Sequence, residues 1–153
     1  MDTDGVAFDH AINVLEEQTG VLWRRQRSIL HVLAKTVHPD MEPAAYGILA
    51  LLQHEGSLRA TDLALGMGVG KPSVSRQLAA LEQLGLTTRL LHPFDARSLQ
   101  VVLTPFGEER LRTAQALRRS AFAALMRSWT SEDVEALSAL IARLDSTYAR
   151  DTW

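Results

Sequence analysis

A mainly helical fold, built on a three-helix unit followed by one β-hairpin, is what this chain of 153 residues encodes. Three features point there. Apolar residues recur at spacings of three, four and seven, the period of a helix that buries one face. Residues 86–91 and 99–103 instead form short β-rich runs on either side of a polar loop, as a hairpin does. Pro39, Pro43, Gly56 and Gly85 separate these stretches where helices must start or stop.

The first element spans residues 6–35, where Phe8, Ile12, Leu15, Leu22, Ile29 and Leu33 share related faces, with Gly20 as a soft spot. Pro39 and Pro43 break the chain. The second proline suits the first turn of a new helix, which needs no N–H there. That helix runs from Pro43 to about His54 and carries Tyr46, Leu49 and Leu52. A short third helix over 60–67 points Leu63 and Ala64 inward, and Met67-Gly68-Val69-Gly70 is a turn.

Residues 71–84 make a fourth helix on the stripe Val74, Leu78 and Leu81, stopped by Gly85. The hairpin follows, with His92-Pro93-Phe94-Asp95-Ala96-Arg97-Ser98 as its loop. Thr104 caps a fifth helix carrying Leu111, Leu117, Ala121 and Leu125, and Trp129 closes it. Thr130 with Asp133 forms a capping box for the last helix, whose apolar side is Val134, Leu137, Ile141, Leu144 and Tyr148. Within the central unit the outer helices have no layer to pack on.

Composition narrows the function classes. Apolar residues make up 46% and charged residues 22%, the proportions of a folded soluble protein. The absence of cysteine rules out disulfides, thiolate metal sites and thiol redox sensing. No segment has the long uncharged apolar run of a membrane span, and Met1 to His10 does not read as a signal peptide. A cytoplasmic location is therefore expected. The net charge is −2, but residues 56–104 carry five basic against three acidic side chains. This basic middle segment holds the hairpin and the helix before it.

At about 100° per residue, Arg76 and Gln83 point away from the Val74 stripe, with Ser73 nearby and Ser75 and Gln77 flanking it. The start of that helix, Lys71-Pro72-Ser73, is short and polar, so a duplex can approach its positive end closely. Arg97 near the hairpin tip suits the narrow, electronegative minor groove. Asp95, two residues before it, is placed to hold its guanidinium in a bidentate pair.

Leu58-Arg59-Ala60-Thr61-Asp62-Leu63-Ala64, Val69 to Leu78, Leu81-Glu82 with Gly85-Leu86, the loop His92-Pro93-x-Asp95-x-Arg97, and Leu103-Thr104-x-x-Gly107 together resemble the winged helix-turn-helix of MarR-type regulators. The flanking helices match in order and length. The resemblance implies a three-part layout. Residues 1–42 and 105–153 would form a dimerisation lobe from the N- and C-terminal helices, and 43–104 the DNA-binding winged helix.

It further implies a homodimer on a pseudo-palindromic double-stranded operator, and repression relieved by a small aromatic ligand. Lys71, Pro72, Ser73, Ser75, Arg76 and Gln77 fall on the recognition helix, and Asp95 and Arg97 on the wing. Three positions depart from the family pattern: Gly70 replaces a serine N-cap, His92 an acidic wing residue, and Ser98 a frequent second arginine.

Trp23, His31 and Tyr46 are candidates for the ligand site, with a place in the dimer core as the alternative. The five histidines are scattered without metal-site spacing, and the pairs Glu16-Glu17 and Glu108-Glu109 diverge on their helices. No cofactor, no metal and no catalytic constellation is expected, so the chain does not read as an enzyme. Two rival readings are a winged helix for protein–protein docking without DNA, and a winged-helix regulator of another family.

Overall fold

A computed structural model describes residues 3–150. The elements run α1 (Thr3–Val37), a 3-10 turn (Pro43–Ala45), α2 (Tyr46–Glu55), β1 (Ser57–Leu58), α3 (Ala60–Met67), α4 (Lys71–Gln83), β2 (Thr87–His92), β3 (Asp95–Leu103), α5 (Pro105–Leu125) and α6 (Ser131–Arg150). All the helices and the hairpin read from the sequence are present. The first helix is a few residues longer at each end than expected, and the second opens with a 3-10 turn at Pro43 before becoming α-helical.

Two features of the sheet depart from the expectation. Ser57 and Leu58 form a third strand, pairing antiparallel with Val102 and Val101, so that the order is β1-β3-β2. The hairpin loop is also much shorter than residues 92–98. Strand β3 already begins at Asp95, which pairs with His92 across a register irregularity between Leu91 and His92. A bulge shifts the residues opposite each other and lets the ladder continue to the tip.

Residues up to Gln115 form one compact unit, and residues from Ala116 onward a second. The core of the first unit draws on every one of its helices. Leu33 and Val37 come from α1, Ile48, Leu49 and Leu52 from α2, Leu63 from α3, Val74, Leu78 and Leu81 from α4, and Leu111 and Ala114 from α5. Leu86 and Val101 close it from the sheet side.

Helix ends are fixed by local chemistry. Gly85 takes a positive φ of 71°. Leu86 N–H donates to the Leu81 carbonyl at 3.0 Å and Gly85 N–H to the Glu82 carbonyl at 3.0 Å, the double closure that ends a helix on a glycine. This sets the angle at which the hairpin leaves α4. Thr104 Oγ1 accepts from Gly107 N–H at 2.9 Å and donates to the Gly85 carbonyl at 2.6 Å, so one hydroxyl caps α5 and ties it to the end of α4.

In the second unit the Thr130–Asp133 capping box forms as expected. Asp133 N–H donates to Thr130 Oγ1 at 3.1 Å, and Thr130 N–H to Asp133 Oδ2 at 3.5 Å. Among the described residues, none from 116 to 148 is buried, and none from 5 to 28 in the first unit is buried either. Both stretches carry large apolar side chains, among them Phe8, Leu22 and Trp23, and Leu140, Ile141 and Leu144. No helix of the described residues is long and apolar enough to cross a membrane.

Candidate nucleic-acid interface

Helix α4 is anchored by Val74, Leu78 and Leu81, each fully buried. A helix pinned along one stripe must present the opposite one. Lys71, Pro72, Ser75 and Arg76 are accordingly exposed. Ser73 and Gln77 are half-buried beside the stripe, and Gln77 Nε2 reaches Ser73 Oγ at 3.5 Å. Gly70 occupies the N-cap with extended backbone and offers no side-chain cap to the amides of the first turn. That end of α4 therefore keeps its positive dipole uncapped, as an anion-binding helix start does.

The wing tip is held by two side-chain acceptors. His92 Nδ1 accepts the Phe94 N–H at 3.2 Å, and Asp95 Oδ1 accepts the Arg97 N–H at 3.0 Å. Each is an i to i+2 bond, the geometry by which a short polar side chain closes a turn. The expected bidentate pair between Asp95 and the Arg97 guanidinium is not what fixes the loop. The carboxylate binds the Arg97 backbone instead, because two residues of separation across a tight turn favour the amide. His92 performs the same acceptor role with a ring nitrogen.

Charge pairing separates the basic residues of this region into two groups. Arg59 Nε lies 2.9 Å from Asp62 Oδ2, and Arg89 Nε lies 2.6 Å from Glu82 Oε1. These cations are already neutralised within the fold. Lys71, Arg76 and the Arg97 guanidinium have no acidic or hydrogen-bonding partner among the described residues, and all three are exposed. The unpaired cations are those on the outward side of α4 and at the wing tip.

The Glu82–Arg89 bridge was not read from the sequence. It joins the end of α4 to β2 across the Gly85 turn, so no helical or strand spacing announces it. It braces the wing against the helix that precedes it.

The three residues singled out for a ligand are separated. Tyr46 is in the core at 3% exposure, while Trp23 and His31 are exposed on α1, more than two turns apart. A cavity of ≈ 380 Å³ runs along one side of α4, lined among others by Met41, Glu42, Ala45, Arg76 and Gln77. None of the three candidates lines it.

A three-helix unit whose last helix is outward-facing, followed by a two-stranded ribbon, defines a winged helix-turn-helix protein. The MarR family profile matches residues 40–98, the stretch containing α2 to the wing. The chain is 27% identical to the uncharacterized HTH-type transcriptional regulator YxaD of Bacillus subtilis (strain 168), over 71% of this chain and 76% of that protein. Its fold is similar to the crystal structure of a MarR family transcription regulator, with a TM-score of 0.76 at 21% identity over 94% of this chain and 96% of that one. It is also similar to a mutant MarR from E. coli complexed with operator DNA, with a TM-score of 0.68 at 20% identity over 88% and 95% of the two chains. Residues 40–98 thus match the MarR family, and the chain shares the fold of winged-helix structures.

Proposed function

We propose that the protein is a homodimeric, sequence-specific DNA-binding repressor. Each protomer sets α4 in the major groove of a pseudo-palindromic operator and its wing over the adjacent minor groove. The observation that carries this is the distribution of unpaired cations. Lys71 and Arg76 on the exposed side of α4, and Arg97 near the hairpin tip of the same unit, are without acidic or hydrogen-bonding side-chain partners among the described residues. Phosphates complete such charges at the gain of counterion release. On this reading Ser73, Ser75, Arg76 and Gln77 meet base edges or phosphates, and Asp95 holds the turn that presents Arg97.

Dimerisation rests on the uncovered helices. Residues 5–28 and 116–148 contain no buried position, yet carry apolar stripes that a second copy would cover. Residues 1–42 and 105–153 then supply the dimer lobe around the reading unit 43–104. A small aromatic ligand acts by favouring a separation of the two α4 helices that does not fit successive major grooves. In the single chain Trp23 and His31 are exposed, Trp23 on the stretch that the second copy would cover, whereas Tyr46 is occupied with core packing. A bound repressor works on DNA in the cytoplasm, and its action is steric, with no reaction to catalyse.

The test is selection of bound fragments from a genomic DNA library, with the purified full chain as bait. Enrichment of one inverted-repeat sequence supports the reading. Recovery of fragments with no shared sequence, at the affinity of random duplex, overturns it.

A further inference from the structure

The sequence motif accounts for Asp95 and Arg97 at the wing tip but leaves Phe94 between them and Pro93 without a role. Phe94 is 93% exposed, the most exposed of the large apolar side chains among the described residues. It is not a loose loop residue. Its N–H is bound by His92 Nδ1 at 3.2 Å, and the His92 ring stands edge-on to it at 6.1 Å between centroids. The next residue fixes the far side of the turn through the Arg97 N–H. The fold therefore fixes the backbone that presents an exposed aromatic ring at the apex of a two-stranded ribbon, three residues from an unpaired guanidinium.

We propose that Phe94 is a wedge that enters between base steps of the minor groove under the wing and so reads how easily that step unstacks. The proposal rests on the operator-binding reading above and deepens it. Continuity carries the argument: Arg97, three residues on at the start of β3, is the residue that reading sends into the minor groove, and Phe94 at the adjoining turn travels with it. Aromatic and aliphatic side chains that enter a minor groove part the stacked bases and kink the duplex toward the major groove. Pyrimidine–purine steps, TA and CA/TG, unstack most easily. A wedge therefore confers sequence preference at positions where no hydrogen bond reads a base. Arg97 supplies the attraction to the groove, and Phe94 supplies the discrimination between steps.

The test is selection from a random-sequence duplex library with four proteins: the unaltered chain, Phe94→Ala, Phe94→Leu and Arg76→Ala. Phe94 touches no core, so the Ala variant keeps the fold. The unaltered protein and Phe94→Leu should select TA or CA/TG steps at the flanking wing positions. Phe94→Ala should lose that preference, keep the bases selected under α4, and bind the selected duplex roughly tenfold more weakly, the scale of one mismatched base pair.

Unchanged steps at the wing positions in the Phe94→Ala selection overturn the wedge, whether or not affinity falls. In that case an intact α4 consensus that Arg76→Ala abolishes leaves the operator-binding reading standing. If the unaltered protein itself selects no sequence, that reading fails and takes the wedge with it.

Discussion

Arg110 caps the C-terminus of α1 from α5: its Nε donates to the Val37 carbonyl at 2.7 Å, and its Nη2 to the Thr36 carbonyl at 2.6 Å. A planar two-pronged donor closes two orphan carbonyls at once, and its positive charge sits at the negative end of the helix dipole. The sequence places these residues more than 70 positions apart, and the bond is what fixes the end of α1 to the start of α5. Arg110→Ala should lower stability by about 1–3 kcal/mol, with Arg110→Lys recovering only part because a lysine is a single-point donor. Thermal unfolding followed by circular dichroism checks this. A melting temperature unchanged in both variants would show the cap to be idle.

Arg76→Ala removes one of the two unpaired cations on the outward side of α4, leaving Lys71 at its start. The side chain has no partner to lose inside the protein, so folding should be unaffected. Affinity for the selected operator should fall by about 1–3 kcal/mol for each recognition helix, and discrimination against random duplex should shrink with it. A fluorescence anisotropy titration against both duplexes gives the two constants. Equal losses on both duplexes would make Arg76 a phosphate contact rather than a base reader.

Arg97→Ala tests the wing through salt. Its guanidinium is unpaired and exposed, so its removal should weaken binding to selected and random duplex alike. It should also reduce the slope of log affinity against log salt by about 1 for each wing. Asp95→Ala keeps the cation but removes the acceptor of the Arg97 N–H. It should weaken binding while leaving the slope near that of the unaltered protein, because the turn loosens without losing charge. Identical slopes for all three proteins would remove the wing from the interface.

Gly107→Ala should be among the most damaging small changes in the chain. A Cβ at this position would meet the Leu86 carbonyl oxygen at 2.0 Å, and that oxygen belongs to the backbone at the start of the sheet. It also accepts the Thr104 N–H at 3.1 Å, so it cannot move without disturbing the α5 cap. The expected cost is about 3 kcal/mol or more, with a fall in melting temperature on the order of 10 °C. Gly20→Ala is the control, since its Cβ would meet only the flexible Arg24 side chain at 3.7 Å and the substitution improves helix propensity.

The helices were legible because their burial is periodic: Val74, Leu78 and Leu81 are a stripe in sequence and a buried face in the fold. The caps at Thr104 and Thr130 were legible because hydroxyl capping acts over three residues. Strand β1 was not, because Ser57 and Leu58 are too few to show a period, and they become a strand only when Val101 and Val102 arrive alongside. The tip of the wing was misjudged for a related reason. A proline and polar residues read as a long loop, while two side-chain acceptors close the turn and let the ladder run to Asp95. Within the interface, sequence marked Arg76 and Arg97 but could not sort cations by availability. Arg89 lies in the same basic stretch, and only the packing shows its charge committed to Glu82.

The uncovered stripe of α6 gives the last prediction. Leu137, Ile141, Leu144 and Tyr148 follow one another at spacings of four, three and four, so they share a face, and each is at least 36% exposed in the single chain. If a second copy covers this face, Ile141→Asp buries a carboxylate without a partner. That costs several kcal/mol in an apolar contact. At about 1.4 kcal/mol per factor of ten, a loss of ~3 kcal/mol raises the dimer dissociation constant by about 100-fold. Light scattering at micromolar concentration should then report the monomer mass for Ile141→Asp and the dimer mass for the unaltered chain. Arg143→Ala changes a residue on the reverse of the same helix, about 200° around from Ile141, and should leave the dimer intact. Operator binding should drop with the mass in the first variant and persist in the second, since two linked reading helices gain affinity that one alone lacks. A dimer that survives Ile141→Asp would place the contact elsewhere than on this stripe.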